Sequence, residues 1–153
     1  MYIYDLDGTI TPFDSPIPMF RKMTTNTVEL YIATKLMKNP HPNIVTVYNV
    51  TSTYFDMELL QVDYTINSSI VEKMHTVKSY LQSLNIAYVD WKPDNIGLDS
   101  YGEPKLFDFD GCGLFLDDIW LTIPFPGYAY KEVSRFETNP AKIDNICFAK
   151  YLK

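Results

Sequence analysis

The chain has 153 residues, 46% of them hydrophobic and 21% charged, the balance of one globular domain with a real core and not of a disordered chain. Its formal net charge of −6 argues against non-specific binding to a nucleic-acid backbone, which rewards clustered Lys and Arg. No stretch reaches the apolar length of a membrane span and no basic-then-apolar leader opens the sequence. No nucleic acid and no membrane are therefore expected as partners. Cys112 and Cys147 lack metal-ligand spacing, so reduced thiols in an intracellular setting, the cytoplasm, are expected.

Residues 1–6 alternate β-formers, and Asp7-Gly8 is a two-residue turn signal before residues 9–11, so a hairpin opens the chain. Prolines at 12, 16 and 18 interrupt regular structure until a short strand over 19–23, which carries Arg21 and Lys22. Residues 24–27 offer N-caps for a helix to about Lys38, with Glu29 in its first turn and Val28, Tyr31, Ile32 and Leu36 on one face. Strands follow over 44–50 and 54–60, then a connector over 61–67. Ser68 or Ser69 caps a long helix ending near Asn85, with an apolar stripe through Ile70, Met74, Val77 and Leu81.

Residues 87–113 carry two acidic clusters, Asp90-Trp91-Lys92-Pro93-Asp94-Asn95 and Asp108-Phe109-Asp110. Between them, apolar runs at 96–98 and 105–107 flank a turn at 99–102, which predicts a hairpin. Such a hairpin brings Asp90, Asn95 and Asp108 together near a lysine. Carboxylates and an amide oxygen converging there are what a magnesium-bound phosphate needs. Beyond Gly113 come an apolar, proline-punctuated segment over 114–130 and a last helix from about Ala141.

This order of motifs resembles the eukaryotic-type protein kinase family. There a catalytic loop of the form H-R-D-x-K-x-x-N precedes a metal-binding D-F-G; here the two read Tyr88-Val89-Asp90-Trp91-Lys92-Pro93-Asp94-Asn95 and Asp108-Phe109-Asp110. His41-Pro42-Asn43-Ile44-Val45 looks like the loop after the small-lobe helix, and Met57-Glu58-Leu59-Leu60 like the hinge that meets adenine through backbone groups. The resemblance implies an α+β, truncated two-lobed protein-kinase-like fold with a small β-rich N-lobe and a reduced helical C-lobe. It implies a single domain over 1–153, with 1–60 as N-lobe, 61–67 as connector and 68–153 as C-lobe.

The resemblance also implies a Ser/Thr-kinase-like phosphotransferase using ATP and Mg²⁺. Asp90 would take the acceptor proton, and Lys92 would steady the phosphoryl group. Asn95 and Asp108 would hold magnesium, while Glu58 and Leu60 would line the nucleotide site. A lysine paired with a helix glutamate would complete it; Glu29 is the glutamate, and Lys22 and Arg21 both stand where the lysine belongs. The acceptor would be a protein, with a small-molecule alcohol as the other option.

Three departures qualify the resemblance. Residues 1–20 contain one glycine, Gly8, where the family has a glycine-rich loop. Tyr88 and Val89 replace the family's His and Arg, which argues against control by activation-loop phosphorylation. Asp110 replaces glycine, which predicts either a plain surface residue or an added carboxylate at the metal site, with Gly111 taking over the flexible role. Residues 126–132 resemble the end of an activation segment and Asp144 the aspartate opening the next helix. So short a kinase-like chain suggests a viral or otherwise compact genome.

Two other readings compete. One is a catalytically weak, pseudokinase-like module that binds a partner kinase, or a homodimer, through surfaces a full domain would bury. The other rests on Asp5-Leu6-Asp7-Gly8-Thr9, which looks like the first motif of haloacid-dehalogenase-type phosphatases. Asp5 would be its nucleophile and Asp7 its acid/base, with Lys105 and Asp117-Asp118 completing the site.

Overall fold

A computed structural model describes residues 2–5, 10–12, 18–62 and 65–152. Strands β1 (Tyr2–Asp5) and β2 (Ile10–Pro12) pair antiparallel with Tyr4 opposite Ile10, as a hairpin requires; the Asp7-Gly8 turn lies outside the described residues. Pro12 ends β2 at the margin of the sheet, where a missing N–H breaks no ladder. The strands β3 (Met19–Met23), β4 (Val47–Val50) and β5 (Tyr54–Glu58) complete a five-stranded sheet in the order β2-β1-β3-β5-β4. Only β1 and β3 run parallel in it.

Helix α1 (Thr27–Lys38) packs on β4 and β5. Its cap is Asn26, whose side chain accepts from the amides of Val28 and Glu29. Ile32, Ala33 and Leu36 form its buried face together with Glu29, while Tyr31 lies half exposed off that face, contrary to the sequence reading. Helix α2 (Ser68–Ser83) is capped by Asn67, one residue before the serines expected to do so, and buries Ile70, Met74, Val77 and Leu81.

Strand β6 (Ile86–Ala87) leads into the acidic stretch. A 3-10 turn (Pro93–Asn95) then enters the expected hairpin of β7 (Ile96–Leu98) and β8 (Pro104–Leu106), in which Ile96 faces Leu106. Asp99 organises its turn by accepting the amides of Tyr101 and Glu103, and Gly102 takes the left-handed conformation, φ 80°.

The segment after Gly113 is a further hairpin, which its sequence pattern did not announce. Strands β9 (Gly113–Leu116) and β10 (Ile119–Thr122) join β6 in the order β10-β9-β6. Asp117 and Asp118 form its two-residue turn with φ of 50° and 66°, the paired left-handed geometry that suits a tight hairpin. Ile119, Leu121, Ile123 and Phe125 remain exposed along it. Helices α3 (Tyr128–Val133) and α4 (Pro140–Tyr151) follow, joined where Lys150 and the Tyr151 hydroxyl both donate to Glu132.

One buried cluster unites Ile32 and Leu36 of α1, Phe55 of β5, Met74 and Leu81 of α2 and Phe148 of α4 with Tyr88, Trp91 and Phe109. The acidic stretch is thus built on the core. Among the described residues, no helix is long and apolar enough to cross a membrane.

Candidate active site

The floor of the site is the loop 88–95, held from below by Asp144 of α4. This fully buried carboxylate accepts from the Val89 amide (2.9 Å), the Trp91 indole N–H (2.7 Å) and the Gln82 side-chain amide (2.9 Å). Burial still pushes its pKa up against those three donors. Val89 adopts φ 64°, which is costly for a β-branched residue and persists only when its surroundings hold it there. Trp91 supplies much of that hold, packed between Tyr88 (4.6 Å between centroids) and Phe148 (4.9 Å). The Tyr88 hydroxyl donates to the Phe107 carbonyl at 2.5 Å and so fixes the loop to the strand that follows it.

Asp90 therefore stands on a braced backbone with its carboxyl half-buried. Asn95 donates from Nδ2 to both the Asp90 carbonyl (2.9 Å) and Oδ2 (3.1 Å). Burial raises the Asp90 pKa, and Lys92 and the Asn95 hydrogen bond oppose the rise. Lys92 itself is exposed at the mouth of a cavity of about 370 Å³ that Asp90, Asp108, Asp110 and Phe125 also line.

The roof is β3. Side chains alternate across a strand, and the alternation separates the two cations that the sequence left open. Arg21 turns away to Asp56, with contacts of 2.7 and 3.1 Å, and lies 4.0 Å over the Tyr54 ring. Lys22 turns inward and donates to Glu29 (2.5 Å) and Asp108 (3.1 Å), with Asp110 at 3.9 Å. Burial works against the Lys22 charge, but the Glu29 hydrogen bond and the Asp108, Glu29 and Asp110 charges outweigh it and raise its pKa.

Between roof and floor lies a second cavity of about 440 Å³, lined by Phe20, Met57, Leu60 and Phe107 and closed at its charged end by Lys22 and Asp108. Leu60 reaches it because Gly97 lets the segment after β5 lie flat on β7; a Cβ at Gly97 would sit 2.5 Å from Leu60 Cβ. Gln61 and Leu98 exchange backbone hydrogen bonds of 2.8 and 2.7 Å beside that contact. The Glu58 side chain is not part of the cavity. It accepts from Lys105 (2.6 Å) and the Thr46 amide (2.9 Å), so only its backbone can serve a ligand there.

No family model matches the chain. Over 76 residues, 48% of its length, it is 38% identical to serine/threonine-protein kinase Sgk1-B of Xenopus laevis and 40% identical to serine/threonine-protein kinase Sgk2 of Rattus norvegicus. It spans 18% and 21% of those relatives. Among solved structures, it superposes on a chain of the yeast RNA Pol II CTD kinase CTDK-1 complex with a TM-score of 0.58 at 20% identity, covering 82% of this chain and 47% of that one. The chain is protein-kinase-like. The likeness covers the fold: a small β-rich sheet with one helix, followed by a helical part carrying the acidic loop.

Within this kinase-like frame, Lys22, Asp90, Lys92, Asp108 and Leu60 line the cleft and the buried Glu29 and Asn95 hydrogen-bond to Lys22 and Asp90, whereas the Glu58 side chain does not line it. Two expectations need correction. Asp110 is more than a plain surface residue, since it lines both cavities and stands 3.9 Å from Lys22. Gly111 does not supply a left-handed turn either. That conformation falls on Asp108 (φ 66°), while Gly111 packs against Asp90, where an added Cβ would lie 3.4 Å from the Asp90 Cβ.

The residues proposed to complete a phosphatase site are engaged elsewhere. Lys105 is bound by Glu58 and lies 3.6 Å from Asp99, and Asp117 and Asp118 are hairpin-turn residues. Asp7 lies outside the described residues. Sequence reasoning gave Asp144 and Trp91 no role in bracing the loop. The available signal was an aspartate among the apolar residues Ile143, Cys147 and Phe148 of one helix.

The donor set fits a magnesium ion. Asn95 is 3% exposed and its Nδ2 is committed to Asp90, while its Oδ1 accepts from no described residue. Asp108 and Asp110 bring carboxylate oxygens to the same cleft. Among the described residues, no three His, Cys, Asp or Glu side chains form a self-sufficient metal site. Magnesium characteristically takes one or two carboxylates and completes its shell with phosphate oxygens and water.

Proposed function

We propose that the chain is an ATP- and Mg²⁺-dependent phosphotransferase of the Ser/Thr-kinase type. One observation carries this reading: Lys22 bridges Glu29 and Asp108 at the charged end of an apolar cavity, with Asp90 across the same carboxylates. An adenine ring suits the apolar part, against Met57 and Leu60, and phosphates suit the end where Lys22 stands. Residues 1–60 and 68–153 then act as the two lobes, joined through 61–67.

In this reading the acceptor hydroxyl lies in the cavity of Asp90 and Lys92. Its oxygen forms a bond to the γ-phosphorus, the bond to the β–γ bridging oxygen breaks, and the hydroxyl proton passes to the Asp90 carboxylate. Lys22 and Lys92 hold phosphate oxygens from opposite sides, and the braced loop keeps Asp90 in place through the step. Asn95 and Asp108 would hold Mg²⁺, which supplies charge compensation on the phosphates. Phosphoryl transfer asks mainly for such positioning and compensation.

The test is thermal stability with and without ATP and Mg²⁺, together with transfer of labelled γ-phosphate to Ser- or Thr-containing protein. Ligand at a hundredfold its dissociation constant stabilises by about 2.7 kcal/mol, and Asp108→Ala is expected to abolish that shift. No nucleotide-dependent shift in the unaltered protein would overturn the reading.

A second reading is favoured by the exposed row Ile119, Leu121, Ile123 and Phe125. A kinase-like module acting on a partner protein would use such a surface. It predicts nucleotide binding without turnover.

A further inference from the structure

At its last residue, β5 departs from a regular ladder. The Glu58 amide donates to the Thr46 carbonyl at 3.0 Å, which is half of an antiparallel hydrogen-bonded pair. The other half would run from the Thr46 amide to the Glu58 carbonyl. That amide donates instead to Glu58 Oε1 at 2.9 Å, so the side chain stands in for its own backbone. The carbonyl finds no partner toward β3 either. The Leu59 amide donates to the Pro18 carbonyl at 3.0 Å, and bonded pairs alternate along an antiparallel ladder. Glu58, opposite Met19, therefore lies at a non-bonded position. Its carbonyl accepts from no described residue, although Glu58 is 7% exposed. Buried backbone carbonyls are almost always paired, so this one calls for a donor from outside the chain.

The substitution is held in place from β8. Lys105 donates to the same Oε1 at 2.6 Å and lies 3.6 Å from Asp99. A carboxylate accepts more strongly than a carbonyl, and the ammonium supplies the opposite charge that a buried carboxylate needs. Met57 and Leu59, on either side of Glu58, line the apolar cavity with Phe20, Leu60 and Phe107. None of these side chains can hydrogen-bond to a ligand, so polar recognition at that end falls to backbone groups.

We propose that Glu58 is a positioning residue: its carboxylate, fixed by Lys105, takes the Thr46 amide so that its own carbonyl stays open to an amino group on the base of a bound nucleotide. The proposal rests on the phosphotransferase reading for the nucleotide itself. The side chain acts without touching the base. It selects a base that carries an amino donor over one with hydrogen or a keto oxygen at the same place, because the wrong base leaves a buried acceptor unpaired.

The experiment compares dissociation constants for ATP and for purine riboside triphosphate, which lacks only the adenine amino group, by displacement of a fluorescent ATP analogue with Mg²⁺ present. Unaltered protein is expected to prefer ATP by about tenfold. The double variant Glu58→Leu with Lys105→Met returns the Thr46 amide to the backbone carbonyl. Its preference should fall below about threefold, with affinity for the analogue unchanged. Glu58→Gln keeps an acceptor oxygen and should keep most of the preference. A merely structural loss would weaken both nucleotides alike, and circular dichroism melts establish that each variant is folded. An unaltered preference in the double variant, or none in the unaltered protein, overturns the proposal.

Nuclear magnetic resonance couplings across the hydrogen bond test the same device without nucleotide. The Thr46 amide nitrogen should couple to the Glu58 carboxyl carbon in the unaltered protein and to the carbonyl carbon of residue 58 in the double variant. Coupling to the Glu58 carbonyl carbon in the unaltered protein overturns the proposal whatever binds. Coupling to the carboxyl carbon in a protein that binds neither nucleotide would uphold the open carbonyl and sink the phosphotransferase reading. Nucleotide binding with no preference for the amino group would do the reverse.

Discussion

Asp144 and Val89 are 55 positions apart, yet the carboxylate of one accepts the amide of the other at 2.9 Å inside the core. A residue in a strained conformation is thereby tied to a buried charge, and the loop bearing Asp90 inherits the rigidity of α4. Asp144→Ala would orphan two buried donors, the Val89 amide and the Trp91 indole N–H. Each costs about 1–3 kcal/mol, so a loss of roughly 2–6 kcal/mol is expected by urea unfolding. Asp144→Asn keeps an acceptor and should lose clearly less; equal losses would refute the bracing role.

Lys22→Met leaves Glu29 buried without its cation. Breaking a buried pair from one side costs about 3–5 kcal/mol, and the remaining exposure of Lys22 places this case near the lower limit. The double variant Lys22→Met with Glu29→Leu should recover much of that loss without regaining nucleotide affinity. Chemical denaturation and nucleotide titration on the same samples check both halves.

The Asp110 carboxyl has its pKa raised from 3.8 to about 6, by burial first and then by the hydrogen bond and charge of Asp108. The folded state thus binds a proton more tightly than the unfolded chain. Its contribution to stability is fully present below about pH 4 and is lost as pH rises through about 6. Asp110→Asn should therefore gain stability relative to the unaltered protein between pH 4.5 and 7, measured with chelator present. Solvent screening of a half-exposed group keeps the gain below about 1 kcal/mol. A difference in melting temperature that does not change with pH would contradict the assignment.

Gly97→Ala places a methyl group against Leu60, with 2.5 Å between the two Cβ positions. The segment after β5 must lift off β7, at a cost of about 1–3 kcal/mol, and the apolar cavity changes shape with it. Weaker binding of adenosine nucleotides is expected. Unchanged nucleotide affinity would show that Leu60 does not line the base site.

Most of the cleft was legible because its residues obey local rules. The hairpin grammar around Asp99 and Gly102 forces Asn95 and Asp108 together whatever else the chain does. The apolar spacing of α2 and the N-cap cluster before Glu29 likewise placed their helices. What could not be read depends on facing directions set by tertiary packing. Arg21 and Lys22 are adjacent cations, and only the pleat of β3 decides which one meets Glu29. Asp110 sits inside an acidic motif that was plain to read, but its approach to within 3.9 Å of Lys22 across the cleft is set by packing. The β9–β10 hairpin escaped notice because Asp117-Asp118 lacks the glycine that usually marks a tight turn.

The contact between Lys22 and Asp108 joins residues 86 positions apart. Long loops are closed at an entropic cost that must be met before the contact gives anything back. The hairpins and helices, whose contacts are local, can form first, and the ionic bridge across the cleft belongs to the last stage of folding. Substitutions at Lys22 or Asp108 should therefore leave the refolding rate nearly untouched and appear almost wholly in the unfolding rate. The chain would reach its shape before it has a cleft, and the cleft's charges would act chiefly as the latch that slows its reopening.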